Sequence, residues 1–251
     1  MYGGYSGDLL PQPEGWGLPA DGVKVVPVFS AFLIDLDGTI LDSRKPFIIT
    51  YNKVLVKNGL TPLPSDESKA LRILRRPVEE IFPQLLGEER YKDAAFMESF
   101  VEELKEAYGE VCLSHTRLCP SAKETIHQLK ALNQKIGVVS SRLSFADYIL
   151  PVLKSFGMGD MIDLIVTSSD VAVTKPSPEP YLLAAERLKK NIRECVAVGN
   201  SPEDIIAGKA AGMFTIAYTK GFYSLEELSK HNADVMIDDL SKLTQLAKAP
   251  F

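Results

Sequence analysis

Two aspartates, two residues apart and closing a strongly apolar run, are the feature of this sequence best suited to do chemistry. The run Ala31-Phe32-Leu33-Ile34 leads into Asp35-Leu36-Asp37-Gly38-Thr39. Residues two apart in a strand point the same way, so Asp35 and Asp37 can reach one site at the strand's carboxyl end. Gly38 allows the backbone to turn sharply there. Carboxylates this close repel, and the arrangement calls for a cation or a shared proton. The other reading is an Asp-Gly turn of no chemical interest, which leaves two acids ending so apolar a strand without a reason.

The segment Ala31 to Ser43, AFLIDLDGTILDS, resembles the first motif of the haloacid dehalogenase superfamily, mostly phosphatases that use an aspartate nucleophile and magnesium. That family carries three further signatures in fixed order. The second is a Ser or Thr ending the next core strand, and Lys135 to Val139 is followed by Ser140, Ser141 and Arg142. A strand-end hydroxyl with backbone N–H groups can hold a phosphate oxygen, although serine at a strand end is also a common turn former. The third is a lysine in a loop before a helix, matched by Lys175-Pro176-Ser177-Pro178-Glu179-Pro180. Three prolines stiffen that loop, and its ammonium would offset clustered carboxylates and phosphate.

The fourth signature is an acidic pair after a buried strand. Cys195 to Gly199 leads into Asn200-Ser201-Pro202-Glu203-Asp204. Ser201-x-x-Asp204 with Pro202 also reads as a helix start with a capping-box arrangement, and both readings can hold together. Members of the family usually carry Asp where this chain has Asn200. An amide oxygen can ligate Mg²⁺ but brings no charge to a hard cation.

The resemblance runs from about Val28 to Leu246 and is to the phosphoglycolate phosphatase-like and beta-phosphoglucomutase-like subgroup, with Leu118-Cys119-Pro120-Ser121 as the entry from cap to core. It implies Asp35 as nucleophile, Asp37 as acid and base, and Lys175 as the charge-balancing lysine. It implies phosphate contacts from Gly38, Thr39, Ser140, Ser141 and Lys175, and Mg²⁺ held by Asp35, Asp37, Asn200 and Asp204. In the subgroup whose helical cap lies between the first two motifs, a cap loop reads the leaving group. Here that loop is Arg75 to Phe82, and Arg75 and Arg76 would meet an anionic leaving group bidentately. Arg72, Arg75 and Arg76 share one face if helical, and pairing with Glu79 and Glu80 on a solvated surface is an equal alternative. His115, His127 and His231 stand away from every motif and read as structural or surface residues.

Positioning these groups requires a scaffold of strands and helices. Short runs rich in Val and Ile recur at 31–36, 135–140, 164–168, 195–199, 214–218 and 234–237. Continuous rather than alternating hydrophobicity is the mark of parallel strands covered on both faces. Helical segments at 122–132, 181–190 and 203–211 alternate with the later runs, which predicts an α/β doubly wound parallel-sheet (Rossmann-like) core. Residues 45–118 break the alternation. They show helical patterns and no convincing strand, with Met97, Val101, Leu104 and Tyr108 on one stripe, a helix start at Ser65 and a stop at Gly87. The expected organisation is a Gly/Pro/Tyr-rich tail at 1–22, an α/β core at 23–44 and 119–251, and a small all-helical cap at 45–118.

The 251 residues can bury a sizeable core. Lys+Arg 28 against Asp+Glu 33 gives a net charge of −5, which argues against a nucleic-acid binder. Three scattered cysteines, Cys112, Cys119 and Cys195, suggest no disulfide framework and a reducing cytoplasm. No apolar run is long enough to span a bilayer, and the start lacks the pattern of a secretory signal. The expectation is a cytoplasmic, Mg²⁺-dependent phosphatase acting on a small phosphorylated metabolite, a monomer or homodimer without nucleic-acid or membrane partners. A phosphomutase of the same superfamily and a non-catalytic ligand- or partner-binding descendant are the alternatives.

Overall fold

The computed structural model describes residues 29–76, 78–141 and 146–248. The tail at 1–22, the lead-in to residue 28, Pro77 and Arg142 lie outside the described residues. Strand β1 (Ala31–Ile34) and the short β2 (Leu41–Asp42) precede five helices: α1 (Arg44–Lys57), α2 (Glu67–Leu74), α3 (Val78–Leu86), α4 (Glu88–Lys92) and α5 (Ala94–His115). After β3 (Arg117–Leu118) strands and helices alternate. They are α6 (Ala122–Ala131), β4 (Lys135–Val139), α7 (Ile149–Ser155), β5 (Leu164–Val166), α8 (Glu179–Arg187), β6 (Cys195–Gly199), α9 (Pro202–Ala210), β7 (Phe214–Tyr218), α10 (Leu225–Ser229), β8 (Val235–Ile237) and α11 (Leu243–Lys248).

Six strands form one parallel sheet in the order β5–β4–β1–β6–β7–β8. This is the doubly wound α/β architecture that the apolar runs predicted. Strand β1 shows why those runs are continuous: all four of its residues are buried. Phe32 and Ile34 face a cluster with Ile126 and Leu129 of α6 and Leu243 of α11. Ala31 and Leu33 face the opposite one, with Tyr181 and Ala184 of α8 and Ala207 of α9. A strand covered on both faces has no place for a polar alternate.

The chain between β2 and β3 is helical, and its longest element, α5, pairs with α1. Leu104 and Tyr108 of the expected stripe are buried, and Met97 and Val101 pack on the same cluster. The N-cap of α2 falls one residue past Ser65, at Asp66, which accepts from Lys69 N–H at 2.8 Å. Two short strands were not anticipated. Leu41 pairs with Leu118 and Asp42 with Arg117, antiparallel, so both ends of the helical insert are tied together. Two residues are too few to show a period, which is why the ladder escapes a pattern reading. Among the described residues all three cysteines are buried, and no helix is long and apolar enough to cross a membrane.

Candidate active site

Parallel strands send their carboxyl ends to one edge of the sheet, and the residues just beyond those ends gather there. Strands β1, β4 and β6 are neighbours, so Asp35, Ser140 and Asn200 are brought to the same edge although far apart in sequence. Asp35 lies one step past β1, yet its N–H still donates to Val198 O at 2.8 Å, so the sheet fixes its backbone.

Lys175 reaches in from the loop between β5 and α8. Its Nζ donates to Asp35 Oδ1 at 2.8 Å, to Asp204 Oδ1 at 2.6 Å and to Val139 O at 3.0 Å. Its side chain is 3% exposed, so all three N–H donors of the ammonium are used away from bulk water. Ser140 is buried and directly follows the carbonyl that Lys175 bonds, whereas Ser141 is exposed. The other oxygen of Asp35 accepts from Thr39 Oγ1 at 3.1 Å and from Asn200 Nδ2 at 3.0 Å. Asp37 accepts a short hydrogen bond from Ser43 Oγ.

Asp204 serves two purposes. Its Oδ2 accepts from Ser201 N and Oγ, and its own N–H donates to Ser201 Oγ, completing a capping box at the start of α9. Its Oδ1 meets Lys175 and the Tyr181 hydroxyl, which donates at 3.2 Å. Burial, then the Asp204 carboxylate, push the Asp35 carboxyl up to about 7, against the pull of Lys175. For Lys175, burial works to lower the ammonium's pKa, and the two carboxylates, Asp204 first, more than reverse this. The lysine therefore stays protonated. Burial and the same carboxylates also keep Tyr181 a neutral phenol.

Asn200 is 2% exposed and holds the loop together. Its Nδ2 donates to Asp35 Oδ2, to Asp37 O at 2.7 Å and to Thr39 Oγ1 at 3.0 Å, while its Oδ1 accepts from Phe222 N–H at 2.8 Å. Gly38 makes this contact possible. Its φ is +85°, and a Cβ there would approach Asn200 Oδ1 to 2.7 Å and Phe222 Cδ1 to 2.9 Å. Gly221 packs in the same way, since a Cβ on it would reach Gly38 O at 2.5 Å. The backbone N–H groups of Gly38 and Thr39 are committed to the turn itself, donating to Leu41 O and Leu36 O.

A magnesium ion, which the family resemblance implies, would draw on Asp35, the Asp37 carbonyl and residue 200. Neighbouring ligands on a magnesium octahedron stand about 3 Å apart, and Nδ2 of Asn200 lies 3.0 Å from Asp35 Oδ2 and 2.7 Å from Asp37 O. The amide nitrogen thus occupies a ligand's place. An NH₂ group only donates, and the Phe222 N–H fixes which end of the amide faces the acids. Asp204 is taken up by Lys175, Tyr181 and Ser201, and among the described residues no group of three His, Cys, Asp or Glu is arranged to hold a metal. The side chains as arranged do not fit the ion.

The two arginines part company. Arg76 pairs with Glu80 at 3.0 Å and donates to Gln84 at 2.7 Å on an exposed face, which is the solvated pairing weighed as an alternative. Arg75 turns toward the core instead. Its Nη1 donates to Phe222 O at 2.6 Å, Nη2 pairs with Glu227 at 3.0 Å, and the guanidinium lies 4.2 Å over the Tyr223 ring. Sequence reading missed Tyr181, Gly221, Phe222 and Tyr223 as site neighbours. The signal was there for the last three, because they follow the apolar run that becomes β7 and so must emerge at the same sheet edge.

A family model described as haloacid dehalogenase-like hydrolase matches residues 32–218. A pyrophosphatase of Bacillus velezensis is 29% identical over 217 residues, 86% of this chain and 95% of the relative. A phosphoglycolate phosphatase of Xylella fastidiosa is 30% identical over 198 residues, 78% of this chain and 82% of its own. A solved structure from Haemophilus somnus, described as a predicted phosphoglycolate phosphatase, superposes with a TM-score of 0.76 at 22% identity, covering 88% of this chain and 98% of that one.

Proposed function

The chain belongs to the haloacid dehalogenase-like hydrolases, and from that premise we propose that it is a phosphatase that cleaves a small phosphorylated metabolite through an aspartyl-phosphate on Asp35. The observation that carries this reading is the buried Lys175 ammonium, 2.8 Å from Asp35 at the carboxyl edge of the sheet. It is the chain's own positive charge beside the reacting centre, and it lowers the cost of bringing a phosphate dianion to a carboxylate.

In the first step an oxygen of Asp35 attacks phosphorus. The P–O bond to the leaving alkoxide breaks, and Asp37 in its acid form gives that alkoxide a proton. In the second, Asp37, now a carboxylate, takes a proton from water as the water oxygen attacks phosphorus. Asp35 is released and inorganic phosphate leaves. Ser140 meets a non-bridging oxygen of the transferring group, and the Lys175 ammonium, its three N–H donors already committed, offsets the charge of that group from beside Asp35. Asp204 and Tyr181 aim the ammonium, Asn200 and Thr39 hold Asp35 Oδ2, and the Ser43 hydroxyl holds Asp37. The helical insert at 45–118 is the cap over this site, and a substrate among compact, strongly anionic phosphates is the reading that the names of the phosphoglycolate phosphatase and pyrophosphatase relatives support.

Phosphate release from a panel of phosphomonoesters and pyrophosphate, with and without Mg²⁺, tests the reading. Wild type should release phosphate and Asp35→Asn should not. Equal release by both, or transfer of phosphate within a sugar phosphate in place of hydrolysis, refutes it.

A further inference from the structure

On the reading of Asp35 as nucleophile, we infer that Arg75 is a positioning residue. Through the backbone of Phe222 and the amide of Asn200 it keeps the Asp35 carboxylate aimed while the helical insert is seated on the core. Three hydrogen bonds make the path. Arg75 Nη1 donates to Phe222 O at 2.6 Å, Phe222 N–H donates to Asn200 Oδ1 at 2.8 Å, and Asn200 Nδ2 donates to Asp35 Oδ2 at 3.0 Å. Arg75 caps the end of α2 in the insert, and Phe222 follows β7 in the core. The guanidinium also pairs with Glu227 at 3.0 Å and lies 4.2 Å over the Tyr223 ring. Nη1 and Nη2 both turn to the core, so Arg75 works on the segment that follows β7 and not on a leaving group.

The two ends of an amide have nearly the same shape and opposite hydrogen-bonding sense, so its partners decide which way it faces. The Nδ2 end of Asn200 meets three acceptors, Asp35 Oδ2, Asp37 O and Thr39 Oγ1. The Oδ1 end is held by the Phe222 N–H. Phe222 is set in turn by its carbonyl on Arg75 and by its ring, which packs so closely on Gly38 that a Cβ there would meet Cδ1 at 2.9 Å. Lifting Arg75 frees that carbonyl and lets the Phe222 backbone rotate. Its N–H then leaves an amide oxygen that is buried and costly to leave unpaired, and the amide shifts toward another donor. Asp35 feels the shift at one oxygen. Lys175 keeps Oδ1, whereas Oδ2 rests on Thr39 and Asn200, so the carboxylate swings about its bond to the lysine. A displacement of about 1 Å at a reacting group costs on the order of a hundredfold in rate, and a partial swing about tenfold.

The first test follows the amide itself and needs no turnover. In full-length ¹⁵N-labelled protein the Asn200 Nδ2 protons are identified by their loss in Asn200→Ala. Arg75→Ala should speed their exchange with solvent about tenfold relative to the backbone amides of β1. Arg75→Lys, whose ammonium can still reach the Phe222 carbonyl but cannot hold Glu227 as well, should lie between the two. Steady-state phosphate release is the second test. Arg75→Ala should lower kcat about tenfold with KM within about twofold of wild type, and Arg75→Lys should recover part of the loss. In the Asn200→Ala background the same change should alter kcat less than about twofold, because the path is already cut. Exchange unmoved by Arg75→Ala, the same kcat loss in both backgrounds, or a raised KM at unchanged kcat, as an arginine on the leaving group would give, each overturns the inference. Should Arg75→Ala not fold, Glu227→Gln, which removes its charged partner, should speed the exchange about threefold, and an unchanged rate there counts against it equally. Phosphate release by Asp35→Asn equal to wild type would remove the nucleophile and leave the exchange result to decide whether Arg75 holds the amide. Unmoved exchange beside an inactive Asp35→Asn would remove the role of Arg75 alone.

Discussion

Asn200→Asp turns the site's electrostatics into a measurable stability change. The wild-type amide donates to Asp35 Oδ2 at 3.0 Å and to Asp37 O at 2.7 Å. The variant sets an acceptor against both and a second negative charge beside Asp35. At about 3 Å and an effective dielectric of about 20, the repulsion is about 5.5 kcal/mol. Protonation caps that cost. Holding a carboxyl neutral at about pH 7 against its ordinary pKa of about 3.9 takes about 4 kcal/mol. The variant should therefore lose about 3–4 kcal/mol near neutral pH in a chelator. In a chain of this length that lowers Tm by roughly 6–16 °C. A carboxyl whose folded pKa is raised destabilises above its unfolded value, so the deficit should shrink as pH falls toward about 4. Mg²⁺ at about a hundred times its Kd should return about 2.7 kcal/mol to the variant, because a carboxylate at this vertex can ligate as it stands. Thermal unfolding followed by circular dichroism, with chelator and with Mg²⁺, provides the measurement. A variant as stable as wild type in chelator, or one that gains nothing from Mg²⁺, would refute the placement of residue 200 against Asp35 and the Asp37 carbonyl.

Two further predictions concern charges held in the fold. Lys175→Met leaves Asp35 and Asp204 buried without their ammonium, and should cost about 3–5 kcal/mol in urea unfolding near neutral pH; a loss below about 1 kcal/mol would mean that the lysine does not hold the two acids. Asp163 bridges the edge of the sheet and α6, accepting from Lys130 at 2.6 Å, Lys135 at 2.9 Å and Ile136 N–H at 2.8 Å. Burial works to raise its pKa, and the Lys130 bond, the Ile136 N–H and Lys135 together bring it below the usual carboxylate range. Its folded pKa being depressed, its contribution is present above the unfolded value and disappears as pH falls through the folded one. Asp163→Asn should lose about 1 kcal/mol near neutral pH, discounted for solvent screening, and the gap from wild type should close in acid. A gap that does not change with pH would refute the charge-based account.

The core was legible because a parallel sheet turns sequence order into position. Asp35, Ser140 and Asn200 each follow an apolar run, and once those runs lie side by side their followers must share an edge. Lys175 was legible for the same reason one step removed, from its place in the loop after β5. The two readings of Ser201 to Asp204, a helix cap and an acid of the site, did not compete. A carboxylate has two oxygens, and here one closes the capping box while the other meets Lys175. Position 200 was legible as a departure, but not its consequence, because which end of an amide faces an acid depends on a donor 22 residues away.

The insert yielded less, and the reason is physical. Its helices could be read from their apolar stripes, since a helix buries one face whatever it packs on. Where it docks is decided by single pairs between distant segments, and such pairs leave no period. Arg75 meets Phe222 across a separation of 147 residues. Nothing in the run Arg75-Arg76 distinguishes the arginine that grips the core from the one that pairs with Glu80 on the surface, because both types of contact satisfy a guanidinium. Only the shape of the interface separates them: Arg75 ends α2 facing Tyr223, while Arg76 begins the turn into α3 and points outward. The same geometry joins Arg75 to Asp35 through the Phe222 backbone and the Asn200 amide.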